Sequence, residues 1–446
     1  MKLFGTDGVR GVANTEPMTV ERATQIGRAA AYVFRKGDGL HRIVIGKDTR
    51  LSGYMFEAAL MAGICSMGVD VLVVGPLPTP GVAFITRSLR AEAGIMISAS
   101  HNTFEDNGIK IFDPQGSKLP ESIEKEMEEF IFSGKIDHIR PTAQEVGKAY
   151  RIDDALGRYI EFVKNSFPKG MTLEGMNIAL DCANGAAYKA APSVFRELGA
   201  EVFVIHNIPN GVNINHECGS LHLDKVKELL LKNKCDIALA LDGDADRLIA
   251  VDETGAIIDG DYILAICAHH FFKNGMNRLL VATVMSNYGL EESIQAAGGS
   301  VIRTQVGDRY VLEEMIKQNA VIGGEQSGHM IFKEYNTTGD GLITALQLLR
   351  ILKETGKPLS ELKKVLTKYP QKLKNIRVKE KIPFEKIPHI KTAVEKVEQE
   401  LKGKGRLLLR YSGTEPIARI MIEAPDMNTV EEKINYLSVL IEEHLA

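Results

Sequence analysis

The feature that most constrains the fold of this chain is a pattern of strands and loops that occurs three times. Each copy has an apolar strand, a helix, a second strand led by glycine, and a third strand that ends in a polar loop. Strands that alternate with helices are typical of α/β units with parallel pairing. We therefore expect three related units with mixed sheets, whose loops lie at equivalent edges around one central cleft. The predicted strands are Arg42–Lys47, Met67–Val74 and Gly94–Ile97, then Asn177–Asp181, Leu198–Ile205 and Asp236–Leu241, then Arg278–Val284, Gly298–Arg303 and Ala320–Ile322.

The last part of the chain has a different pattern, which predicts a smaller C-terminal α+β domain. Its expected strands are Asn375–Lys379, Arg406–Tyr411 and Ala418–Glu423, and its expected helices are His389–Leu401 and Thr429–Glu443. A chain of 446 residues is too long for one hydrophobic core. We predict four domains, with residues 1–152, 153–253, 254–366 and 367–446.

Composition excludes several classes of partner. The net charge of -4 gives no basic surplus for nucleic acid or for an anionic membrane. The N-terminal MKLFGTDGVRG has no apolar core of signal-peptide length, and no apolar run is long enough to span a bilayer. Five scattered cysteines without a C-x-x-C pair predict a reduced cytosolic compartment. His216, Cys218 and His222 lack a fourth partner at a usual zinc spacing.

The first polar loop follows the buried run Gly94–Ile97 and begins with Ser98, Ala99 and Ser100. The sequence continues with His101 and Asn102 and returns to an apolar strand at Ile109–Phe112. Open α/β sheets bind ligands at the carboxyl ends of their strands, so this position suits a reactive serine. A serine that only caps a turn fits the same residues.

The second polar loop is Asp242-Gly243-Asp244-Ala245-Asp246-Arg247, after the apolar run DIALAL. Three carboxylates at alternate positions repel one another unless they share a cation, and Mg²⁺ is the natural candidate. A calcium EF-hand is the competing interpretation, but Arg247 occupies the position that requires glycine. A solvated acidic turn is the remaining alternative.

The third and fourth loops suit a phosphorylated sugar. Glu325, Ser327 and His329 offer groups that pair with sugar hydroxyls, although a polar turn explains them as well. The fourth loop reads RYSGTEP and resembles a phosphate cradle of backbone N–H groups, hydroxyls and guanidinium. An ordinary turn tolerates the same residues. Its candidate residues are Arg410, Ser412, Gly413, Thr414 and Arg419.

Two common nucleotide-binding motifs are missing from the sequence. There is neither a G-x-x-x-x-G-K-[ST] P-loop nor a G-x-G-x-x-G dinucleotide fingerprint. A metal site, a nucleophilic serine, a sugar loop and a phosphate cradle remain. Together they predict phosphoryl transfer through a covalent phosphoserine.

The motifs SASHN, DGDADR, GEQSGH and RYSGTEP occur in this order, and the chain resembles the α-D-phosphohexomutase superfamily. The opening FGTDGVRG together with GGEQSGH and TTGDG looks most like the bacterial phosphoglucosamine mutase branch. The resemblance implies an intramolecular phosphotransferase that interconverts glucosamine 6-phosphate and glucosamine 1-phosphate, for UDP-N-acetylglucosamine synthesis. A bisphosphorylated sugar would be its intermediate and activator.

The resemblance also implies roles for individual residues. Ser100 would carry the phosphoryl group and, with Asp242, Asp244 and Asp246, would bind Mg²⁺. Glu325 and Ser327 would hold sugar hydroxyls, and the fourth loop would hold the phosphate that does not react. Arg10, Lys110 and Arg247 would line the transfer site. The general acid and base stay open among His101, Lys110 and His329. The four domains would then be a phosphoserine, a metal-binding, a sugar-binding and a phosphate-binding domain.

Three alternatives to this function remain at this point. The first is a mutase of the same fold that acts on mannose or glucose phosphates. The second is a magnesium-dependent phosphatase in which water attacks the phosphoserine, and the third is a non-catalytic sugar-phosphate sensor. For the amino-sugar mutase we expect a cytoplasmic enzyme with a small-molecule sugar phosphate as substrate and a homodimer as its candidate assembly.

Overall fold

The computed structural model describes residues 2–5, 7–37, 39–412 and 416–445. The chain divides into two compact units. The larger contains Met1–Met285 and Val301–Lys364, and the smaller contains Ser286–Ser300 and Val365–Ala446. None of the described helices is both long and apolar enough to cross a bilayer. All five cysteines belong to the described part of the chain and are free thiols.

The first module of the larger unit is a mixed sheet with helices. Its described strands follow the order β1-β5-β4-β2-β3-β6, in which β2 is parallel to β3 and β4, and β5 is antiparallel to β4 and β1. Every residue of β4 is buried, as expected for a strand without polar alternation. The elements are β1 (Val9–Val12), α1 (Val20–Phe34), β2 (Arg42–Lys47), α2 (Gly53–Cys65), β3 (Asp70–Pro76), α3 (Thr79–Ser88), β4 (Ala93–Ile97), β5 (Asp106–Phe112), α4 (Glu121–Ser133) and β6 (Ala149–Arg151).

The second module repeats this arrangement with the strand order β11-β10-β9-β7-β8. Its β7 is parallel to β8 and β9, and β10 is antiparallel to β9. The elements are α5 (Ala155–Lys164), β7 (Asn177–Asp181), α6 (Ala190–Glu197), β8 (Glu201–Ile205), α7 (Asp224–Asn233), β9 (Ile237–Leu241), β10 (Leu248–Asp252) and β11 (Ile257–Ile258).

The third module has the strand order β13-β12-β14-β15, with β14 parallel to β12 and antiparallel to β15. Asp340 begins the long helix of this module, because its side chain accepts from the N–H groups of Leu342 and Ile343. The elements are α8 (Gly260–Lys273), β12 (Leu279–Thr283), α9 (Tyr288–Ala296), β13 (Ser300–Thr304), α10 (Asp308–Gln318), β14 (Ile322–Gly324), β15 (Met330–Phe332), α11 (Gly341–Thr355) and α12 (Leu359–Leu362). Of these, α9 belongs to the smaller unit.

The threefold repeat and the α/β class predicted from the sequence are confirmed. The three modules share one strand order, which is β3-β2-β4-β5 in the first, β8-β7-β9-β10 in the second and β13-β12-β14-β15 in the third. The last two strands of each order are antiparallel. The three polar loops join the last pair, at β4–β5, β9–β10 and β14–β15. The second strands begin later than predicted, because the leading glycines Gly68, Gly199 and Gly298 adopt positive φ of 77°, 98° and 73°. They therefore end the preceding helix region instead of opening the strand.

The smaller unit confirms the predicted α+β pattern. Three described strands form an antiparallel sheet in the order β16-β18-β17, and two helices pack on it through buried residues such as Val397 and Leu437. The first strand lies earlier than predicted, since Gln371 already pairs with Glu423. The elements are β16 (Gln371–Arg377), α13 (Pro388–Leu401), β17 (Arg406–Tyr411), β18 (Ile417–Glu423) and α14 (Met427–Leu445). The division into four domains and the cleft among them stay predictions.

Candidate active site and metal centre

Ser100 lies in the β4–β5 loop with its hydroxyl aimed at the acidic loop of the second module. Only 1% of the residue is exposed, and its Oγ donates to Asp242 Oδ2 at 2.7 Å. The backbone of Ser100 has a φ of 51°, which is unusual for a residue other than glycine. Gly243 lies against the Ser100 carbonyl oxygen, where a Cβ would come within 2.6 Å. The structure thus joins the serine and aspartate motifs that are separate in the sequence.

The three aspartates form a buried cluster with unsatisfied oxygens. Asp244 Oδ2 accepts from Thr79 Oγ1 at 2.6 Å and from Lys110 Nζ at 2.8 Å. The buried Oδ1 atoms of Asp244 and Asp246 have no hydrogen-bond donor among the described residues. One ligating atom from each of Asp242, Asp244 and Asp246 lies within 4.8 Å of the others. These orphaned oxygens fit a hard divalent cation, which would relieve the mutual repulsion.

The aspartates experience different electrostatic environments. Burial, together with Asp246 and Asp244, raises the pKa of Asp242 well above its ordinary value. Burial also acts to raise the pKa of Asp246, but Lys110 and His329 hold it well below its ordinary value. Burial opposes the charge of Lys110, yet Asp244, Asp7 and Asp246 raise its pKa and keep it an ammonium. The fully buried Lys110 therefore supplies fixed positive charge to the aspartate cluster.

Acidic and basic side chains alternate around the site and form what we term the charge ring. Lys110 Nζ lies 3.3 Å from Asp7 Oδ2 and 3.4 Å from Asp246 Oδ2. Lys118 contacts Asp7, and its Nζ lies 2.7 Å from Asp308 Oδ1. The ring ties the segment before β1 to α10, which are distant in the sequence.

His329 closes the charge ring. Its Nε2 lies 3.4 Å from Asp308 Oδ2, and its Nδ1 lies 3.6 Å from Asp246 Oδ2. Burial lowers the pKa of His329, but Asp246 and Asp308 raise it to about 9 overall. The Gly339 N–H donates to Nε2 at 3.0 Å, which requires a lone pair on that nitrogen. Below about pH 9 both ring nitrogens are protonated and face Asp246 and Asp308, so the bond from Gly339 belongs to the neutral ring, whose single proton lies on Nδ1.

The sugar loop of the third module presents two accessible polar groups. Glu325 Oε1 accepts from the Gly307 N–H at 3.1 Å, and Glu325 Oε2 accepts from Ser327 Oγ at 3.1 Å. Glu325 is half-buried and Ser327 is exposed, so both remain reachable by a ligand. The Leu248 N–H donates to the Gly328 carbonyl at 3.0 Å, which fixes this loop to the return strand of the metal loop.

The remaining predicted residues of the larger unit surround Ser100. His101 Nδ1 lies 3.4 Å from Ser100 Oγ, and burial together with Arg247 and Arg10 lowers the pKa of His101 to about 4. Arg247 donates its backbone N–H to Asp242 Oδ1 at 3.1 Å, and its Nε lies 3.7 Å from Asp246 Oδ1. Arg10 is linked to the charge ring through a hydrogen bond to Asp7.

The smaller unit contains the predicted phosphate loop. Arg410 and Arg419 are direct partners on β17 and β18, and burial and Arg419 lower the pKa of Arg410. Arg419 Nη2 donates to Ser412 Oγ at 3.4 Å, and Lys381 Nζ donates to the Ser412 carbonyl at 2.7 Å. Two cationic side chains contact Ser412 and Arg410 is the strand partner of Arg419, a concentration of positive charge that suits an anionic ligand. Gly413 and Thr414 lie outside the described residues.

Comparison with known proteins matches every part of this arrangement to one family. Four models of the phosphoglucomutase/phosphomannomutase family match the chain: alpha/beta/alpha domain I at residues 1–137, domain II at 157–255, domain III at 259–369, and the C-terminal domain at 373–433. The chain belongs to the phosphoglucomutase/phosphomannomutase family.

Individual relatives of this family are similar along their whole length. The chain is 60% identical to a phosphoglucosamine mutase of Geobacter sp. (strain M21), covering 100% of this chain and 98% of the relative. It is 53% identical to a phosphoglucosamine mutase of Nitratidesulfovibrio vulgaris (strain DP4), covering 100% and 99%. A phosphoglucomutase/phosphomannomutase family protein of Burkholderia thailandensis has the same fold, with a TM-score of 0.83, 24% identity, and 99% and 97% coverage.

One further polar cluster lies outside the motifs of the phosphoglucomutase/phosphomannomutase family. The sequence offered Cys218 as a metal ligand together with His216 and His222. In the structure Cys218 lies close to Asp181 and His206 instead. Asp181 already accepts from the N–H groups of Ala183 at 2.8 Å and Gly219 at 3.0 Å, and its Oδ2 lies 2.9 Å from His206 Nδ1. This satisfied carboxylate fixes the loops after β7 and β8.

Several residues that build the site belong to none of the sequence motifs. Arg50 and Asn215 bind the backbone of the Ser100 loop, Thr79 holds Asp244, and Lys118 and Asp308 belong to the charge ring. One feature of the sequence could have indicated Arg50 as a site residue: it follows the carboxyl end of β2, at the edge of the sheet where the other loops lie. No local pattern indicates the partners of Lys118 and Asp308, because they are 190 positions apart.

Proposed function

We propose that this chain acts as a phosphoglucosamine mutase, which interconverts glucosamine 6-phosphate and glucosamine 1-phosphate. The observation that carries the proposal is the 2.7 Å hydrogen bond from the buried Ser100 hydroxyl into an aspartate cluster with two orphaned oxygens. Relatives of that name, 58–60% identical over the full chain, support the amino sugar as substrate.

We propose Mg²⁺ as the ion held by Asp242, Asp244, Asp246 and an oxygen of phosphorylated Ser100. The hard carboxylate set and the unsatisfied Oδ1 atoms of Asp244 and Asp246 support this choice. When bound, Mg²⁺ neutralises negative charge on the transferring phosphoryl group.

In the first transfer, the bond between Ser100 Oγ and phosphorus breaks while the free sugar hydroxyl bonds to phosphorus. The hydroxyl proton passes to a base, for which His101 and His329 are the candidates. The released Ser100 Oγ takes up a proton, for which the Lys110 ammonium is the candidate donor, and a bisphosphorylated sugar results. In the second transfer, Ser100 Oγ gives up its proton and attacks the other phosphate, the bond between that phosphorus and the sugar oxygen breaks, and the released sugar oxygen takes up a proton. Lys110 and Arg247 stabilise the charge in both directions because they carry fixed positive charge beside the triad.

The other predicted residues hold the two ends of the substrate in this proposal. Glu325 and Ser327 bind sugar hydroxyls, since both are accessible on the third loop. Arg410, Ser412 and Arg419, with Gly413 and Thr414, bind the phosphate that does not react, and Arg10 binds near the transfer site. We further propose four domains with residues 1–152, 153–253, 254–366 and 367–446, and a cytoplasmic enzyme that pairs as a homodimer and binds neither nucleic acid nor membrane.

The decisive experiment compares glucosamine, glucose and mannose 1-phosphates as substrates, with Mg²⁺ and a catalytic amount of glucose 1,6-bisphosphate. We expect preferred conversion of the amino sugar, with isomer formed in large excess over inorganic phosphate. Equal or better turnover of glucose or mannose phosphates would overturn the amino-sugar assignment. Inorganic phosphate in excess of isomer would indicate a phosphatase, and absence of any turnover would favour a sensor.

A further inference from the structure

Among the described residues, the guanidinium group of Arg50 binds only backbone carbonyls of the Ser100 loop and the side chain of Asp48. Arg50 is among the largest fully buried side chains, with 0% exposure. Its Nη2 donates to the carbonyls of Ser100 at 3.0 Å and Asn102 at 2.8 Å. Its Nη1 donates to the carbonyls of Thr103 and, at 3.0 Å, Asp106. One side chain thus caps four carbonyls along the whole β4–β5 loop.

The same arginine also reaches the backbone N–H of Ser100 through two other side chains. Arg50 Nε donates to Asp48 Oδ2 at 2.8 Å, and Ser98 Oγ donates to the same oxygen at 2.7 Å. The Ser100 N–H then donates to Ser98 Oγ at 2.9 Å. All five N–H groups of the guanidinium are therefore used, and both polar backbone groups of Ser100 belong to one buried network.

This network explains how Ser100 keeps a left-handed backbone. A φ of 51° is unfavourable for serine and persists only where the surroundings impose it. Asn215 adds a second restraint from the second module, since its Nδ2 donates to the carbonyls of Ser100 at 2.7 Å and Asn102 at 2.8 Å. In this conformation the Ser100 hydroxyl meets Asp242.

We propose that Arg50 is a positioning residue for phosphoryl transfer: its fork of five donors holds the Ser100 loop so that the serine oxygen faces the aspartate triad. This inference rests on the proposed function. Lysine cannot replace Arg50 here, because a single ammonium nitrogen with three N–H groups cannot bind four carbonyls and a carboxylate.

The test compares Arg50→Lys with Arg28→Lys as a matched control. Arg28 is a second buried arginine of the first module, 5% exposed, which donates to Asp137 at 2.8 Å and to the carbonyls of Ile136 and, at 3.0 Å, Ile139. Both substitutions remove a buried guanidinium that caps carbonyls, so a purely structural role predicts similar losses of stability and unchanged turnover below the melting temperature.

The measurements are thermal unfolding, kcat and KM for glucosamine 1-phosphate, and the single-turnover rate of Ser100 phosphorylation by glucose 1,6-bisphosphate. We expect Arg50→Lys to lower kcat and the phosphorylation rate by about 10- to 100-fold, with KM changed by less than about twofold. We expect Arg28→Lys to keep the wild-type kcat. Equal kcat values in the two variants would overturn the proposal.

A second variant covers the case in which Arg50→Lys does not fold. Asn215→Ala removes the other donor to the Ser100 carbonyl, and we expect a smaller fall in kcat, about 3- to 10-fold, again without a matching change in KM. Wild-type kcat in Asn215→Ala would then count against positioning of the loop. If the wild type itself converts no sugar phosphate, the proposed function is wrong, and crystal structures of the variants then test the positioning role separately. An unchanged Ser100 φ in Arg50→Lys would overturn that role. If Arg50→Lys does not fold, an unchanged Ser100 φ in Asn215→Ala would overturn it.

Discussion

Replacing Asp340 by asparagine tests whether the start of α11 contains a carboxylate that is costly to ionise. Asp340 is buried, caps α11 and accepts from the Tyr159 hydroxyl at 3.0 Å. Burial raises its pKa from 3.8 to about 6, although the hydrogen bonds from the Ile343 N–H and from Tyr159 oppose the rise. Asparagine keeps a capping oxygen and cannot ionise, so Asp340→Asn isolates the ionisation.

The magnitude and its sign follow from the difference between the folded and unfolded pKa. At about 1.4 kcal/mol per pKa unit, the difference amounts to about 3 kcal/mol of unfolding free energy. Because the folded pKa is the higher one, this stability is fully present below about pH 4 and is lost as pH rises through about 6. Between about pH 7 and about pH 5, wild type should gain about 1.4 kcal/mol relative to Asp340→Asn.

The assay is urea unfolding of both proteins from about pH 5 to about pH 8, followed by circular dichroism of the larger unit's transition. Asp252→Asn is the control, because hydrogen bonds from Lys363 and Thr254 outweigh burial and lower the pKa of Asp252. For Asp252 the difference between wild type and variant should stay constant across this pH range, because a lowered pKa places its titration below about pH 5. A constant difference between wild type and Asp340→Asn across this pH range would refute the reasoning.

Further outcomes are expected for the other parts of the site. Ser100→Ala should abolish phosphate exchange while the melting temperature stays near that of wild type, because the hydroxyl contributes little packing; activity above a thousandth of wild type would point to another nucleophile. Asp244→Asn should weaken Mg²⁺ binding at least about tenfold in calorimetry, since one of three charges is removed; an unchanged affinity would argue against the triad. Arg419→Ala should raise KM by about 10- to 100-fold, the usual cost of a charge-assisted hydrogen bond, with a smaller change in kcat; an unchanged KM would argue against a phosphate site in the smaller unit.

The repeat was predictable because it rests on local signals. Strands β2, β7 and β17 have the predicted bounds, since their apolar runs are continuous and end at polar turns. The four motifs likewise indicated Ser100, the aspartates and the sugar loop, because charged and hydroxyl side chains follow buried strands directly. Helix ends were close for the same reason: α13 begins one residue before the predicted His389.

Long-range pairing was not predictable from one sequence. Arg50 stands in a Lys-Asp-Thr-Arg run that reads as a surface turn, yet it is fully buried and reaches residues 50 to 56 positions away. Asn215 and Thr79 belong to no sequence motif. Asn215 binds the backbone carbonyl of Ser100, and Thr79 binds the carboxylate of Asp244, each in another module. A buried arginine is stable only where carbonyls and carboxylates converge, and that convergence depends on tertiary packing.

The hairpin that carries Ser100 sets a strict spacing rule for this chain. Lys110 reaches the triad because it pairs with Met96 on β4, while Ser100 sits in the turn of the same hairpin. A slip of one position would send the Lys110 ammonium to the opposite face of the sheet and bring an apolar neighbour to the carboxylates. Insertions or deletions between Ser100 and Lys110 should therefore be tolerated only when they leave that pairing intact, so chimeras of this segment must exchange the whole hairpin together.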